Sequence, residues 1–278
     1  MRSNNPVFNN SPEFNGQGGY VQQGYGYQQG GYPPPPPGYA PAAPQATRTM
    51  SIDSVVQSTG ISLGVVVLVA AATWVLTGDL NDPVTGTDSQ AKLYAASMIG
   101  GLAAFALSLV NSFKRQISPA LVLAFCAAEG LAMGAISKVF DAYAGQGVVT
   151  GAVLGTFGAF AGTLAAYKFL NIKVGDKFRR GVTAAMFGMV GIGLIEMVLS
   201  LLGHPIGLFD NGGVGLIFAI GGLVLGVFML IMDFDFVERG IAYGLPERES
   251  WRASFAMTVS LVWIYTNLLR ILSILNQD

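Results

Sequence analysis

The sequence is short of charge, cysteine and histidine. Only 11% of its 278 residues are charged, and 52% are hydrophobic, whereas an average soluble domain carries about 25% charged residues. The single cysteine, Cys126, excludes an intrachain disulfide and is best interpreted as a small buried hydrophobic residue. Low charge together with long apolar runs is typical of an integral membrane protein.

Signatures of catalysis and of nucleic-acid binding are missing as well. The single histidine, His204, lies in a short polar break, and no Cys/His metal cluster, phosphate loop, nucleophile elbow or HExxH motif is present. The net charge of -1 gives no reason to expect a polyanionic partner. The sequence therefore predicts neither an enzyme nor a nucleic-acid-binding protein, and it implies no cofactor.

Residues 1 to about 50 form a separate region made of Gly, Gln, Tyr and Pro, as in "GQGGYVQQGYGYQQGGYPPPPPGYAPAAP". Such a composition cannot bury enough apolar surface to offset chain entropy, so we expect a disordered tail, with polyproline II structure at residues 33–37. The tail is either a solvated spacer or a handle recognised by a partner. Because its first residues do not show the charged-then-apolar pattern of a cleavable signal peptide, we expect insertion to depend on the apolar runs.

From Gly60 onward the chain repeats apolar runs of about 20 residues, separated by short polar breaks. A helix of that length crosses the hydrocarbon core. The sequence therefore predicts an all-α, multi-pass membrane domain over residues 51–278. The seven predicted spans lie near residues 60–77, 93–111, 119–140, 148–169, 181–202, 213–232 and 252–275.

Basic residues fall mainly on one side of these spans. Twelve lie before the first span or in the second, fourth and sixth connections: Arg2, Arg48, Lys114, Arg115, Lys168, Lys173, Lys177, Arg179, Arg180, Arg239, Arg248 and Arg252. Only Lys92 and Lys138 lie toward the other side. The positive-inside rule then predicts a cytoplasmic N-terminus and, after seven spans, a C-terminus outside.

A reporter fused after residue 278 tests this topology. We use a reporter that is active only on the outer side of the membrane, and we expect it to be active in this fusion. The same reporter inserted near residue 245 should be inactive, because that connection carries basic residues and is expected to be cytoplasmic. A cytoplasmic signal from the C-terminal fusion would contradict the odd number of spans.

Small residues are frequent inside the runs. The fourth run contains "GAVLGTFGAFAG", with glycines at positions 151, 155, 158 and 162. Helices in lipid associate through close backbone packing rather than through a hydrophobic force. The spacing therefore predicts that these glycines pack against neighbouring helices.

Few ionisable residues fall at membrane depth, so each is a candidate functional residue. Glu129, in the third run, is expected to face the bundle interior or a water cavity, or to be a neutral acid hydrogen-bonded to a neighbouring helix. Glu196 and Arg270, in the fifth and seventh runs, lie at similar depth and are a candidate buried ion pair. Alternatively, Arg270 extends to the interface.

The stretch "FMLIMDFDFVERG" places Asp233, Asp235 and Glu238 where the sixth run ends. The two aspartates point about 200° apart on a helix, so one faces inward and the other outward. Asp235 and Glu238 share a face. This pattern predicts a proton-operated latch or a hard-cation site. The alternative is a solvated helix end balanced by Arg239.

Three stretches together resemble the transmembrane Bax inhibitor motif family. They are "SPALVLAFCAAEGLAMGAIS", with Pro119, Glu129, Gly130 and Gly134; "LIMDFDFVERGI"; and "FAMTVSLVWIYTNLLRILSIL". The resemblance covers residues 60 to 275 and leaves the tail out. Within the family, the chain is similar to a bacterial branch. It implies six helices around a central seventh, and a pH-sensitive calcium leak gated by two aspartates that share a proton.

The resemblance transfers only one of these aspartates. It implies Asp235 at the end of the sixth span, with Asp233 as the alternative register. The second position falls on Ser260 or on Asn267, depending on which part of the last helix is aligned, and neither is acidic. We expect Asp235 to be the inward residue beside Ser260 or Asn267, and Asp233 to face the headgroups.

Two hypotheses follow. The first is a leak pathway for Ca²⁺ or H⁺ past Glu129 and Asp235, in which Ca²⁺ is a transported ion rather than a cofactor. The second is a non-conducting scaffold that binds other membrane proteins, such as quality-control proteins, through its tail. Both place the protein in the lipid bilayer of a bacterial cell membrane, and the sequence leaves the oligomeric state open.

Overall fold

The computed structural model describes residues 48–80, 82 and 86–277. Its seven α-helices are each long and apolar enough to cross a membrane, which confirms the predicted fold class. The helices are α1 (Ile52–Leu76), α2 (Gly86–Phe113), α3 (Pro119–Ala144), α4 (Val148–Phe169), α5 (Asp176–Leu201), α6 (Gly213–Ala242) and α7 (Glu249–Leu275). The expected disorder of the tail falls, for residues 1–47, outside the described part and stays a prediction there.

Several helices extend past the apolar runs that predicted them. Helix α1 begins eight residues before the first run, because Ser51 caps it: the Ser54 amide donates to Ser51 Oγ at 3.1 Å, and the Ser51 amide donates to Ser54 Oγ at 3.0 Å. This reciprocal pair satisfies backbone donors that the first turn leaves open. Helix α6 likewise continues ten residues beyond the predicted end at residue 232.

Helix α7 has four helical neighbours in the described chain. It packs against α1, α3, α4 and α6, whereas α2 packs mainly on α3 and α5 packs mainly on α6. Helices α1, α3, α5 and α7 begin at one end of the bundle, here called the first face, and α2, α4 and α6 begin at the second face. Small buried hydroxyls line the α1–α7 contact: Ser254 donates to Ser62 Oγ at 2.7 Å and Ser58 donates to the Ser250 carbonyl at 3.0 Å.

Two glycines permit the closest helix contacts. A β-carbon on Gly134 of α3 would lie 2.8 Å from the Cα of Ala70 on α1. A β-carbon on Gly222 of α6 would lie 2.7 Å from Cγ of Asn267 on α7. At Gly134 the near atoms include the α1 backbone, so any larger residue would force α1 and α3 apart, whereas a larger residue at Gly222 would first displace the Asn267 side chain.

The glycine run of α4 is less tightly packed than its spacing predicts. Gly151 and Gly155 face the side chains of Leu272 and Leu268 on α7, with β-carbon distances of 3.1 and 3.0 Å. The other two glycines of the run, at positions 158 and 162, have no described neighbour within 4 Å of a β-carbon. The predicted close packing is therefore wrong for that pair, because both positions lie on an exposed face of α4, whereas Phe160 on the other face packs against the core.

The segment before α1 contacts the α6–α7 connection. The Met50 amide donates to the Leu245 carbonyl at 2.7 Å, and the Glu247 amide donates to the Arg48 carbonyl at 2.8 Å. The Met50 side chain is 2% exposed and belongs to the core formed with Leu230 and Phe234. Residues 48–50, which the composition groups with the tail, thus contribute to packing.

Deleting residues 1–46 is expected to leave the melting temperature of the detergent-solubilised protein unchanged, because the tail composition offers no core. Extending the deletion through residue 50 should lower it by several degrees, since losing a buried methionine costs about 2–5 kcal/mol. Met50→Ala in the full chain is the matched control. A large loss in the shorter deletion would show that the tail packs on the bundle.

Candidate functional site

The acidic motif lies inside a helix rather than at its end. Asp233 and Asp235 are followed by two more turns of α6, which ends at Ala242. Helix α6 therefore continues beyond the predicted end of the sixth span, and apolar residues of its last two turns, such as Phe236 and Val237, pack against the core. Two residues apart on one helix, the aspartates point to different neighbours.

Asp233 faces α7. The Ser260 hydroxyl donates to Asp233 Oδ2 at 2.6 Å. Both residues line a cavity of about 230 Å³, here called the carboxylate cavity, which is bounded by α2, α5, α6 and α7. Its other polar lining residues are Ser108, Ser112 and Thr183. A carboxylate and four hydroxyls therefore line one space between these helices.

Asp235 faces α5 and is held by two arginines. Arg179 of α5 donates to Oδ2 at 2.9 Å, and Arg239 donates to Oδ1 at 3.0 Å from one turn further along α6. Arg239 also donates to the Val174 carbonyl at 2.7 Å. The Asp235 side chain is 7% exposed, while the arginine side chains are 45% and 44% exposed. This two-arginine clamp satisfies both carboxylate oxygens.

The geometry reverses the expected register. Ser260 contacts Asp233, whereas Asp235 contacts the basic start of α5 instead of α7. Asn267 lies two turns further along α7, where it donates to the Trp263 carbonyl at 2.8 Å and packs against Gly222. It is therefore far along α6 from both aspartates. The expected outward position of Asp233 is also wrong. The two aspartates are rotated by about 200° about the axis of α6, so when Asp235 faces α5, Asp233 faces α7.

The other acidic residue of the motif is separate from the carboxylate cavity. Glu238 is exposed and accepts a hydrogen bond from the Tyr167 hydroxyl of α4. Although Asp235 and Glu238 are three residues apart, they contact different helices. The motif thus connects α6 to three neighbours: Asp233 to α7, Asp235 to α5 and Glu238 to α4.

Glu129 is half-buried near the middle of α3, one turn from Cys126. Cys126 packs in a buried cluster with Val66 of α1 and Phe255 of α7, which places this part of α3 against both helices. Glu129 does not line the carboxylate cavity. Among the described residues it makes no ion pair, so the structure leaves it apart from Asp233 and Asp235.

The expected ion pair between Glu196 and Arg270 does not form among the described residues. Glu196, 2% exposed, accepts backbone hydrogen bonds from Ile206, Gly207 and Leu208 at 2.8–3.1 Å. Arg270 donates to the Leu208 carbonyl at 2.5 Å and lies over the ring of Phe209, 5.4 Å from its centroid. Both side chains hold the α5–α6 connection, whose backbone satisfies each charge separately.

A family model described as Bax inhibitor 1 like matches residues 5–277. The chain belongs to the Bax inhibitor 1-like family. The match includes most of the tail, which the motif resemblance had left out. No curated protein matches the chain.

In this Bax inhibitor 1-like protein, Asp233 is the only acid among the described residues that line the carboxylate cavity. From Arg252 to Leu275, α7 contains no carboxylate, and a serine stands opposite Asp233. A serine hydroxyl can donate to the carboxylate but cannot repel it as a second charge. The two-aspartate arrangement implied by the resemblance is therefore replaced here by an aspartate–serine pair.

Sequence reasoning missed two basic residues with defined roles. Arg179 appeared only as one of many charges in a connection, and its contact with Asp235 is tertiary. Lys138 donates to the carbonyls of Trp74 and Gly78 and to Thr77 Oγ1, so it caps the C-terminal end of α1. The four-residue spacing of Asp235 and Arg239 was the one local signal that indicated part of this network.

Proposed function

We propose that this protein is a cation leak pathway, for Ca²⁺ or H⁺, in which Asp233 is the gating carboxylate. The observation that supports this proposal is the aspartate–serine pair in the carboxylate cavity. A carboxylate at membrane depth is unfavourable without a function or a partner. Oxygen ligands from Asp233, Ser260 and the surrounding hydroxyls suit hard cations.

In this proposal the gate is the contact between α6 and α7 at Ser260. The hydrogen bond from Ser260 occupies one oxygen of Asp233. Protonating the carboxylate or coordinating a cation would change this contact, because each competes for the same oxygen atoms. We expect the population of the open pathway to depend on pH.

Asp235 has a different role in this mechanism. Its two-arginine clamp fixes the start of α5 against α6, and α5 supplies one side of the carboxylate cavity through Thr183 and Met186. We expect Asp235 to set the position of α5 and not to bind the transported ion. The charge of Asp235 is already compensated by Arg179 and Arg239.

A flux assay on the purified full chain tests this assignment. Liposomes that contain a calcium dye or a pH dye should show flux that varies between about pH 5 and pH 8. Asp233→Asn is expected to abolish this pH dependence, because it removes the titrating group while keeping the shape. Glu238→Gln, an exposed acid on the same helix, is the matched control and should behave like wild type.

The Ser260→Ala variant tests the hydrogen bond to Asp233 separately from the Asp233 charge. It removes the hydrogen bond but leaves the Asp233 carboxylate, so flux should persist with a changed pH dependence. If Asp233→Asn keeps the wild-type dependence, the assignment of Asp233 is wrong. If wild type passes neither ion at any pH in this window, the leak proposal fails.

The second candidate is a non-conducting scaffold for other membrane proteins. One observation favours it: α7 offers a serine and not a second aspartate opposite Asp233, so the charge repulsion that two acids would provide is missing. The N-terminal tail would be the segment that binds the partner proteins. In either case, we propose a cell-membrane location with the first face in the cytoplasm, on the basis of the basic residues at that face.

A further inference from the structure

A larger cavity lies among α1, α3, α4 and α7, away from the carboxylate cavity. It measures about 550 Å³ and is here called the lateral cleft. Helices α3 and α7 form its floor. Helices α1 and α4 form its walls and make no extended contact with each other in the described chain. Wall residues such as Val67 and Phe157 are 60% and 59% exposed, so the cleft opens sideways.

The lining of the lateral cleft is almost entirely apolar. Its buried hydroxyls already have partners: Ser137 and Tyr265 are hydrogen-bonded at 2.5 Å, and Thr156 donates to the Ala152 carbonyl at 2.7 Å. A cavity of this size is typical of a ligand site. At membrane depth, an unfilled apolar cleft would lose packing contacts, and the molecules that surround it are lipid chains.

The length of the lateral cleft matches one leaflet. On α1 it extends from Leu63 near the middle of the helix to Val75 near the second face. Twelve residues of helix correspond to about 18 Å, and half of the hydrocarbon core is about 15 Å. One extended acyl chain from the leaflet at the second face would therefore reach the deep end of the cleft.

The second-face end of the lateral cleft carries one charge. Asp141, one turn before the end of α3, is the only charged residue in its lining. The nearest basic residue on α3, Lys138, is bound to carbonyls at the end of α1. Asp141 makes no ion pair within the described residues. A headgroup at this position meets a carboxylate, which favours an amine and disfavours an anionic group.

We propose that the lateral cleft binds one acyl chain of a phospholipid whose headgroup carries a primary amine, with the amine at Asp141. This site is independent of the carboxylate cavity and does not rest on ion conduction. It would select lipid of the ethanolamine type from the leaflet at the second face.

Trp74 provides a reporter, because it lines the lateral cleft. The full chain is reconstituted in phosphatidylglycerol vesicles with a minor fraction of phosphatidylethanolamine or phosphatidylglycerol brominated on the chain. The signal of Trp74 is the difference between wild type and Trp74→Phe. We expect brominated phosphatidylethanolamine to quench Trp74 at a several-fold lower fraction than brominated phosphatidylglycerol.

Three variants separate the cleft from ordinary boundary lipid. Asp141→Asn should remove the preference for ethanolamine. Ala71→Phe, which narrows the cleft, should reduce quenching by the ethanolamine lipid to the phosphatidylglycerol level. Ala72→Phe is the matched control: the residue is adjacent, exposed and outside the lining, so quenching should stay at the wild-type value.

Equal quenching by the two headgroups would overturn the proposal, as would wild-type quenching in Ala71→Phe. Quenching could also be absent at high protein density and return when the protein is diluted in lipid. That result would show that a second copy of the chain fills the cleft, and it would overturn the proposal. None of these results depends on whether the protein conducts ions.

Discussion

Replacing Arg179 and Arg239 together by glutamine is expected to lower the free energy of unfolding by about 3–5 kcal/mol. The reason is that Asp235 is 7% exposed, and both of its charged partners would be lost. A buried carboxylate without compensation is far more costly than an exposed one. Unfolding of the purified protein in a denaturing detergent series, followed by helix content, measures the change.

The order of the single and combined variants makes this prediction specific. Asp235→Asn should cost less than the double arginine variant, because the arginines are 45% and 44% exposed and can be hydrated. Adding Asp235→Asn to the double variant should restore part of the lost stability. If the triple variant is less stable than the double variant, the buried charge is not the source of the cost.

Gly134→Val is expected to destabilise the protein by about 3 kcal/mol or to prevent its folding. A β-carbon at this position would lie 2.8 Å from Ala70 Cα and 2.9 Å from Thr73 Cβ, both on α1. Backbone atoms cannot move aside as a flexible side chain can, so α1 and α3 must separate. Gly134→Ala should already lower the melting temperature, by less than the valine variant does.

Gly158→Ala is the matched control for this prediction. The position is also a glycine within an apolar helix, but no described atom lies within 4 Å of a β-carbon there. We expect no loss of stability, and a gain of up to about 1 kcal/mol if the helix preference of alanine dominates. Equal losses at positions 134 and 158 would mean that glycine itself, rather than the α1–α3 contact, is required.

These contacts also bear on how a pathway would open. Helix α5 packs mainly on α6, and it is attached near its ends by Arg179 to Asp235 and by Glu196 to the α5–α6 connection. Between these attachments α5 borders the carboxylate cavity. The arginine variants are therefore expected to change flux as well as stability, whereas Gly134 substitutions act through α1 and α3, which do not border that cavity.

Much of the fold was determined by the sequence alone. Seven apolar runs of membrane-spanning length predicted seven helices, because a backbone in lipid has to satisfy its hydrogen bonds within each segment. Helix ends were less well determined. Ser51 caps α1 before its apolar run begins, and α6 continues past Asp235 through turns whose apolar residues still pack on the core.

The candidate site shows what sequence could not decide. The spacing of Asp233 and Asp235 required that they face different ways, but which one faces α7 depends on the rotation of α6 in the bundle. That rotation is set by close contacts such as Gly222 against Asn267. The same holds for Glu196, whose partners are backbone amides and not Arg270. Composition and periodicity specify which residues enter the membrane, whereas packing between helices decides which of them meet.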